Sequence, residues 1–172
     1  MWRVTQVYSA GFEHCCLPVG RLAAEFAGEM NSDFPTVQGA YRMTADWTLE
    51  LPCSFQRRIE DGCLVLWRPG VTFWITVWGN DDEQSTDQRL ASILEDASAD
   101  RTNERLSLGN GIVRLTYELD GRDADPETPV NRSISGFVVA PDGHVQISAY
   151  CDDQEAVDTG YRVIASAERQ PV

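Results

Sequence analysis

The chain has 172 residues, 42% of them hydrophobic, enough for one domain with a real core and without a composition break that would argue for two. All 14 basic residues are Arg, so chemistry that needs a lysine side chain, such as a Schiff base or a phosphate-loop lysine, is excluded. Against them stand 27 acidic residues, and the net charge of −13 repels phosphate backbones and anionic lipid, so neither nucleic acid nor a membrane is an expected partner.

The first residues lack the basic start and continuous apolar stretch of a secretory signal, and no run is long enough to span a bilayer, which reads as a cytoplasmic protein. Cysteines at 15, 16, 53, 63 and 151 form an odd set without framework spacing and fit reduced thiols. Residues 2–8 alternate loosely, with Trp2, Val4 and Gln6 on one side, as in a short edge strand. Pro18 suits a first helical turn, and Val19, Leu22, Ala23, Phe26 and Met30 follow at helical spacing, so a helix is expected over about 18–30. Residues 31–39 read as a connection.

From Thr44 the pattern turns to β, with Trp47, Leu49 and Leu51 on one face of a strand that Pro52 should close. Residues 55–59, 63–67 and 71–78 follow, separated by Glu60-Asp61-Gly62 and Pro69-Gly70, which predicts antiparallel hairpins. The third strand has a strict period of two: Val71, Phe73, Ile75 and Val77 face one side, and Thr72, Trp74, Thr76 and Trp78 the other. The first set is core. The second, two indoles among hydroxyls, needs a covering helix, a partner or a ligand.

Ser85-Thr86-Asp87-Gln88 has capping-box spacing, and Leu90, Ile93, Leu94 and Ala97 mark a helical face. Beyond a polar stretch, Val113, Leu115, Tyr117 and Leu119 alternate with Arg114, Thr116 and Glu118 in a half-buried strand. Residues 120–129 carry acids, Gly121, Pro126 and Pro129 without a packing pattern and read as a loop. A hairpin of 133–140 and 144–151 is joined by Pro141-Asp142-Gly143, where Asp-Gly supplies positive φ. The last element opens on Asp152-Asp153-Gln154-Glu155, acids at the positive end of a helix dipole, and places Val157, Tyr161, Ile164 and Ala165 on one face. Gly160 inside that helix costs roughly 1 kcal/mol relative to Ala, which a close approach to the sheet would explain.

The expected fold is α+β: a single antiparallel sheet flanked by helices, an α/β/α sandwich in which a helix covers the Trp74 and Trp78 side. Strands beginning at Trp47-Thr48-Leu49-Glu50-Leu51-Pro52, a mid-chain helix, and a strand ending Ala149-Tyr150-Cys151-Asp152-Asp153 before a last helix near Ala165-Ser166 resemble the fold shared by PsbP, the extrinsic photosystem subunit, and the Ran-release protein Mog. The resemblance covers 44–168, leaves 1–43 as an N-terminal extension of one domain, and implies an interaction module. It carries over no binding residue.

Chemical constellations are few. His14-Cys15-Cys16 offers soft ligands, but adjacent cysteines make no usual zinc knuckle and no Cys-x-x-Cys or His-x-x-x-His partner appears, so neither a metal nor another cofactor is expected. Cys15-Cys16 is otherwise a redox pair or two small residues leading into a helix. A Cys-His hydrolase would bring His144 to a distant cysteine, whereas a turn-flanking His is commonly just solvated. Gly-x-Ser-x-Gly is missing, and Gly109-Asn110-Gly111 is too short for a phosphate loop and precedes a strand. Asp81-Asp82-Glu83 and Asp152-Asp153 sit at helix starts, where acids cap and are solvated.

Arg57 and Arg58 stand beside the meander, and Arg68 adjoins Trp67, so an Arg over an indole is a candidate contact for a partner's carboxylate. With Trp74 and Trp78 these are the candidate binding residues, and no catalytic residue is assigned. Two function classes follow. One is a non-catalytic protein-interaction module binding a basic partner, as small acidic immunity proteins and chaperones do by compositional analogy. The other is a small-molecule-binding protein or small enzyme using the Trp74 and Trp78 face with a Cys or His, which requires a pocket there.

Overall fold

Period-two apolar alternation commits most of the described residues to strands. The structure, a computed structural model, describes residues 33–120 and 132–170. The expected strand over 2–8, the helix over 18–30, Cys15-Cys16 and the 120s loop beyond Asp120 lie outside the described residues. Strands β1 (Thr36–Arg42), β2 (Trp47–Glu60), β3 (Cys63–Arg68) and β4 (Val71–Gly79) form a meander, followed by helix α1 (Thr86–Asp96). Strands β5 (Thr102–Gly109), β6 (Ile112–Asp120), β7 (Arg132–Ala140) and β8 (Gly143–Cys151) form a second run, followed by helix α2 (Gln154–Ser166) and the two-residue strand β9 (Glu168–Arg169).

All belong to one antiparallel sheet of order β1-β2-β3-β4-β8-β7-β6-β5, with β9 beside the start of β2. The first run goes from an edge to the centre, α1 carries the chain to the far edge, and the second run returns until β8 meets β4. That junction runs from Val71 opposite Cys151 to Gly79 opposite Gly143, so the two-faced strand is central. Among the described residues the architecture is predominantly antiparallel sheet with two helices.

The helices pack on opposite faces. Ala156, Val157, Val163 and Ile164 of α2 join Phe73, Ile75, Ile134, Val138, Ile147 and Ala149 in the main core. Ile93 of α1 joins Val113, Leu115, Tyr117, Phe137 and Val139, the alternate residues of β6 and β7. Gly160 lies against the sheet as its placement requires: a Cβ there would stand 2.9 Å from Ile134 Cδ1 and 3.4 Å from Ala149 Cβ. Opposite it, a Cβ on Gly136 would stand 2.5 Å from Ile164 Cγ2, so two glycines let helix and sheet close up.

Both helix starts follow their sequence signals. Ser85 accepts from the Gln88 amide while the Gln88 side chain accepts from the Ser85 amide, and Asp153 accepts from the Ala156 amide at 2.8 Å. Ala165, expected on the packed face of α2, is exposed.

Several expectations give way. Pro52 does not end a strand: β2 runs through it, because the ladder with β1 slips between Val37 and Gly39, and Pro52 falls where no amide is required. The stretch read as a connection contains the start of β1 at Thr36, and the polar stretch before Val113 contains β5. Gly109-Asn110-Gly111 is the β5–β6 turn, with Asn110 and Gly111 at φ +54° and +72°. In the β7–β8 turn the positive φ of the Asp-Gly pair is at Gly143, +158°, and not at Asp142; a Cβ on Gly143 would also meet the Trp78 carbonyl oxygen at 2.3 Å.

Candidate functional site

Directly paired residues of neighbouring strands share a face, so the registers define what lies beside Trp74. One row runs Arg58, Val65, Trp74, Ser148 across β2, β3, β4 and β8. The next runs Gln56, Trp67, Thr72, Tyr150. This is the face on which α1 packs, but α1 covers the β6 and β7 half, and Trp74 belongs to neither apolar cluster. The expectation that the mid-chain helix lies over Trp74 is therefore corrected: α1 must lead to the far edge strand β5, and it takes the half of the face nearest that edge.

The six candidate residues divide between the two faces. Arg58, Trp67, Trp74 and Trp78 are on the α1 side. Arg57 pairs with Leu66 of the α2-side core and donates to the Tyr41 hydroxyl at 3.5 Å, and Arg68 donates to Cys53 Sγ at 2.7 Å. The cation over an indole is Arg58, its Cζ 5.5 Å from the Trp67 ring centre, with Nη2 held by Glu60 at 2.5 Å. Trp67 is buried, with Phe34 edge-on at 4.9 Å; Trp74 is half-buried; Trp78 is exposed at the strand end.

That end of the sheet holds a polar cluster. The His144 ring stacks on Trp78, centroids 6.1 Å apart, and contrary to expectation the imidazole is buried, with Nδ1 lacking a hydrogen-bond partner. Burial first, and the nearby Arg89 charge second, push its pKa down to about 4, so it is neutral at pH 7. Arg89, reaching in from α1, is 6% exposed and donates to the Ala140 carbonyl at 3.4 Å and to Asn80 Oδ1. Asn80 in turn donates to the carbonyls of Gln84 at 3.0 Å and Pro141 at 2.7 Å. Desolvation lowers the Arg89 pKa, while Asp82 and Asp142 favour its charge. Asn80 and Arg89 thus bolt α1 to the ends of β4 and β7.

Nucleophile chemistry finds little here. Cys151 is fully buried, and desolvation followed by the Asp152 charge pushes its thiol up to about 12, so no thiolate forms near neutrality. It lies seven residues from His144 on the same strand and on the opposite face, roughly 23 Å along the chain at strand rise. Cys53, Cys63 and Cys151 are free thiols, and among the described residues no three His, Cys, Asp or Glu come together as metal ligands. His14-Cys15-Cys16 lies outside the described residues. No helix among those described is long and apolar enough to cross a membrane.

The charge distribution is the more telling feature. Most of the described arginines contact groups of the protein itself: Arg42 the Thr44 and Ala45 carbonyls, Arg114 that of Ala167, Arg169 Asp46 and Asp142, Arg101 Glu104, Arg132 Glu118. Asp81, Asp82, Glu83, Asp87, Glu95, Asp96 and Asp100 are all exposed on α1 and its flanking loops. Next to them β5 has every residue exposed, with Leu106 at 59% and Leu108 at 79%. Sequence reasoning missed this strand; the Leu106 and Leu108 alternation ahead of Asn110-Gly111 was the available signal. Neither the family models nor the curated protein sequences compared with this chain match it.

Proposed function

We propose that the chain is a non-catalytic protein-interaction module that binds a basic partner through the acidic surface around α1. The observation that carries this reading is the sorting of charge: most of the described arginines contact groups of the protein itself, while the carboxylates of 81–83, α1 and Asp100 are exposed to solvent. Such a field speeds encounter with a basic protein and disfavours acidic ones. Candidate reactive groups support it, since His144 and Cys151 are built into the interior in neutral form. The same reading takes the architecture as an α/β/α sandwich of the PsbP and Mog kind. Helices on opposite faces and the Ala149-to-Asp153 phrase closing β8 just before α2 support this.

The test is capture from lysate of the native organism at low and high salt, alongside a variant in which Asp81, Asp82, Glu95 and Asp96 become Asn or Gln. A basic protein that elutes with salt and is lost with the neutralised variant is the expected result, each exposed charge contributing about 0.2–1 kcal/mol. Retention that ignores both salt and the variant refutes the acidic surface as the binding site.

A further inference from the structure

We propose that the outer edge of β5, at Arg105–Gly109, receives an extended basic segment of the partner as an added antiparallel strand. The inference rests on the protein-binding reading above and names its docking element and the partner's chemistry. Among the described residues β5 pairs with β6 alone, and there its other side presents an open row of amides and carbonyls, the template on which strand addition works. The ladder slips between Thr102 and Arg105, with Asn103 at φ +52°, which confines the regular edge to the five residues after the slip. The opposite edge differs: β1 is broken in its middle, between Val37 and Gly39.

Sheet edges are ordinarily blunted by charge, and here the charges near β5 are spent elsewhere. Arg105 lies over the Tyr161 ring at 4.6 Å, and Arg101 is held by Glu104 at 2.6 Å. What remains outward is Leu106 and Leu108. They pair with Leu115 and Val113, so they sit on the face of the α1 cluster as its uncovered margin. An added strand with apolar side chains at alternate positions would extend that cluster.

The basic character of the occupant follows from α1. The helix ends with exposed Glu95 and Asp96, has no basic residue in its last turn, and leads through Asp100 into β5. Carboxylates at a helix C-terminus oppose its dipole and cost stability, so this end of α1 is a concentrated negative field awaiting cations. A second copy of the chain, itself at −13, meets that field with repulsion.

The probe is a nine-residue peptide with a Val-Thr-Val-Thr-Val core flanked by two Lys at each end, with the same core flanked by Glu as its counterpart, titrated into the full chain and followed by amide hydrogen exchange. Expected are binding of the Lys peptide only, new protection at Arg105–Gly109, and affinity about tenfold weaker in a Leu106→Ser, Leu108→Ser variant. That variant keeps wild-type thermal stability because both side chains are exposed. Lys-peptide binding without protection at β5, or undiminished in the variant, overturns the β5 site and leaves the protein-binding reading standing. No binding of the Lys peptide at low salt overturns both. Equal binding of the Glu peptide overturns the basic partner, and concentration-dependent self-association that protects β5 makes the occupant a second copy and overturns the proposal.

Discussion

Burial of His144 makes the stability of this protein depend on pH in a window where few other side chains titrate. The imidazole has a pKa of about 4 in the folded chain against 6.5 when exposed, so between those values the unfolded chain binds the extra proton. Stability from this group is therefore complete above pH 6.5 and is lost as pH falls towards 4. The full difference corresponds to about 3 kcal/mol, and about 2 kcal/mol of it is gone by pH 5. Urea unfolding followed by tryptophan fluorescence at pH 8, 7, 6 and 5 measures it. A His144→Phe variant, which keeps a ring against Trp78 and has no Nδ1 to leave unpaired, separates this residue from His14. The variant is expected to flatten the pH dependence between 7 and 5 by about 2 kcal/mol. Equal midpoints for wild type at pH 7 and 5, or an unchanged slope in the variant, would refute the assignment of a buried neutral imidazole.

Gly160→Ala should lower stability by about 1–3 kcal/mol by urea unfolding although Ala is the better helix former, because its Cβ would stand 2.9 Å from Ile134 Cδ1; a stabilised variant would mean that α2 does not press on β7 at that point. Asn80→Ala removes an acceptor from the buried Arg89 guanidinium, and a loss of about 1–3 kcal/mol by urea unfolding is expected; unchanged stability would mean that Asn80 does not hold Arg89. Cys151 should resist iodoacetamide at pH 8 in the native state and label on unfolding, read by peptide mass spectrometry; native labelling would contradict its burial.

Elements whose two sides differ were readable. Strand β4 shows core residues on one side and mixed aromatic and hydroxyl residues on the other, and α1 and α2 carry local caps, so their identity needed no distant partner. Strands β1 and β5 were not read, for physical reasons that differ. Gly39 takes the half-buried position between Val37 and Tyr41, so the sequence of β1 lacks the apolar alternation that its burial keeps, and β5 is exposed on both sides, so burial imposes no period on Thr102 to Arg105. Pro52 misled because the rule against proline applies to a regular ladder and β2 slips there. The position of α1 was beyond local reading: it depends on β5 taking the far edge, a pairing between distant segments. Grouping Arg57 with Arg58 ignored the period of two that already put them on opposite faces.

The failures of pattern and the proposed binding surface coincide for one reason. A sequence advertises an element through what the fold buries, so a segment whose buried side belongs to a partner leaves half of its pattern unexplained. In β5, Leu106 and Leu108 alternate as a half-buried strand would, yet they are 59% and 79% exposed within this chain. The carboxylates of α1 behave likewise: Glu95 and Asp96 stand exposed where the helix dipole disfavours them, with no basic residue in the same turn to offset the cost. Two neighbouring departures from self-consistency, one apolar and one electrostatic, are relieved together by a single strand carrying alternate apolar residues and positive charge. On the Trp74 half-face Val65 and Trp67 are buried and Arg58 has Glu60, with Trp78 41% exposed at the strand end. The β5 edge differs in bringing two more exposed apolar side chains, Leu106 and Leu108, next in sequence to the carboxylates of α1, and that pairing of apolar and electrostatic demand is what one basic strand can satisfy.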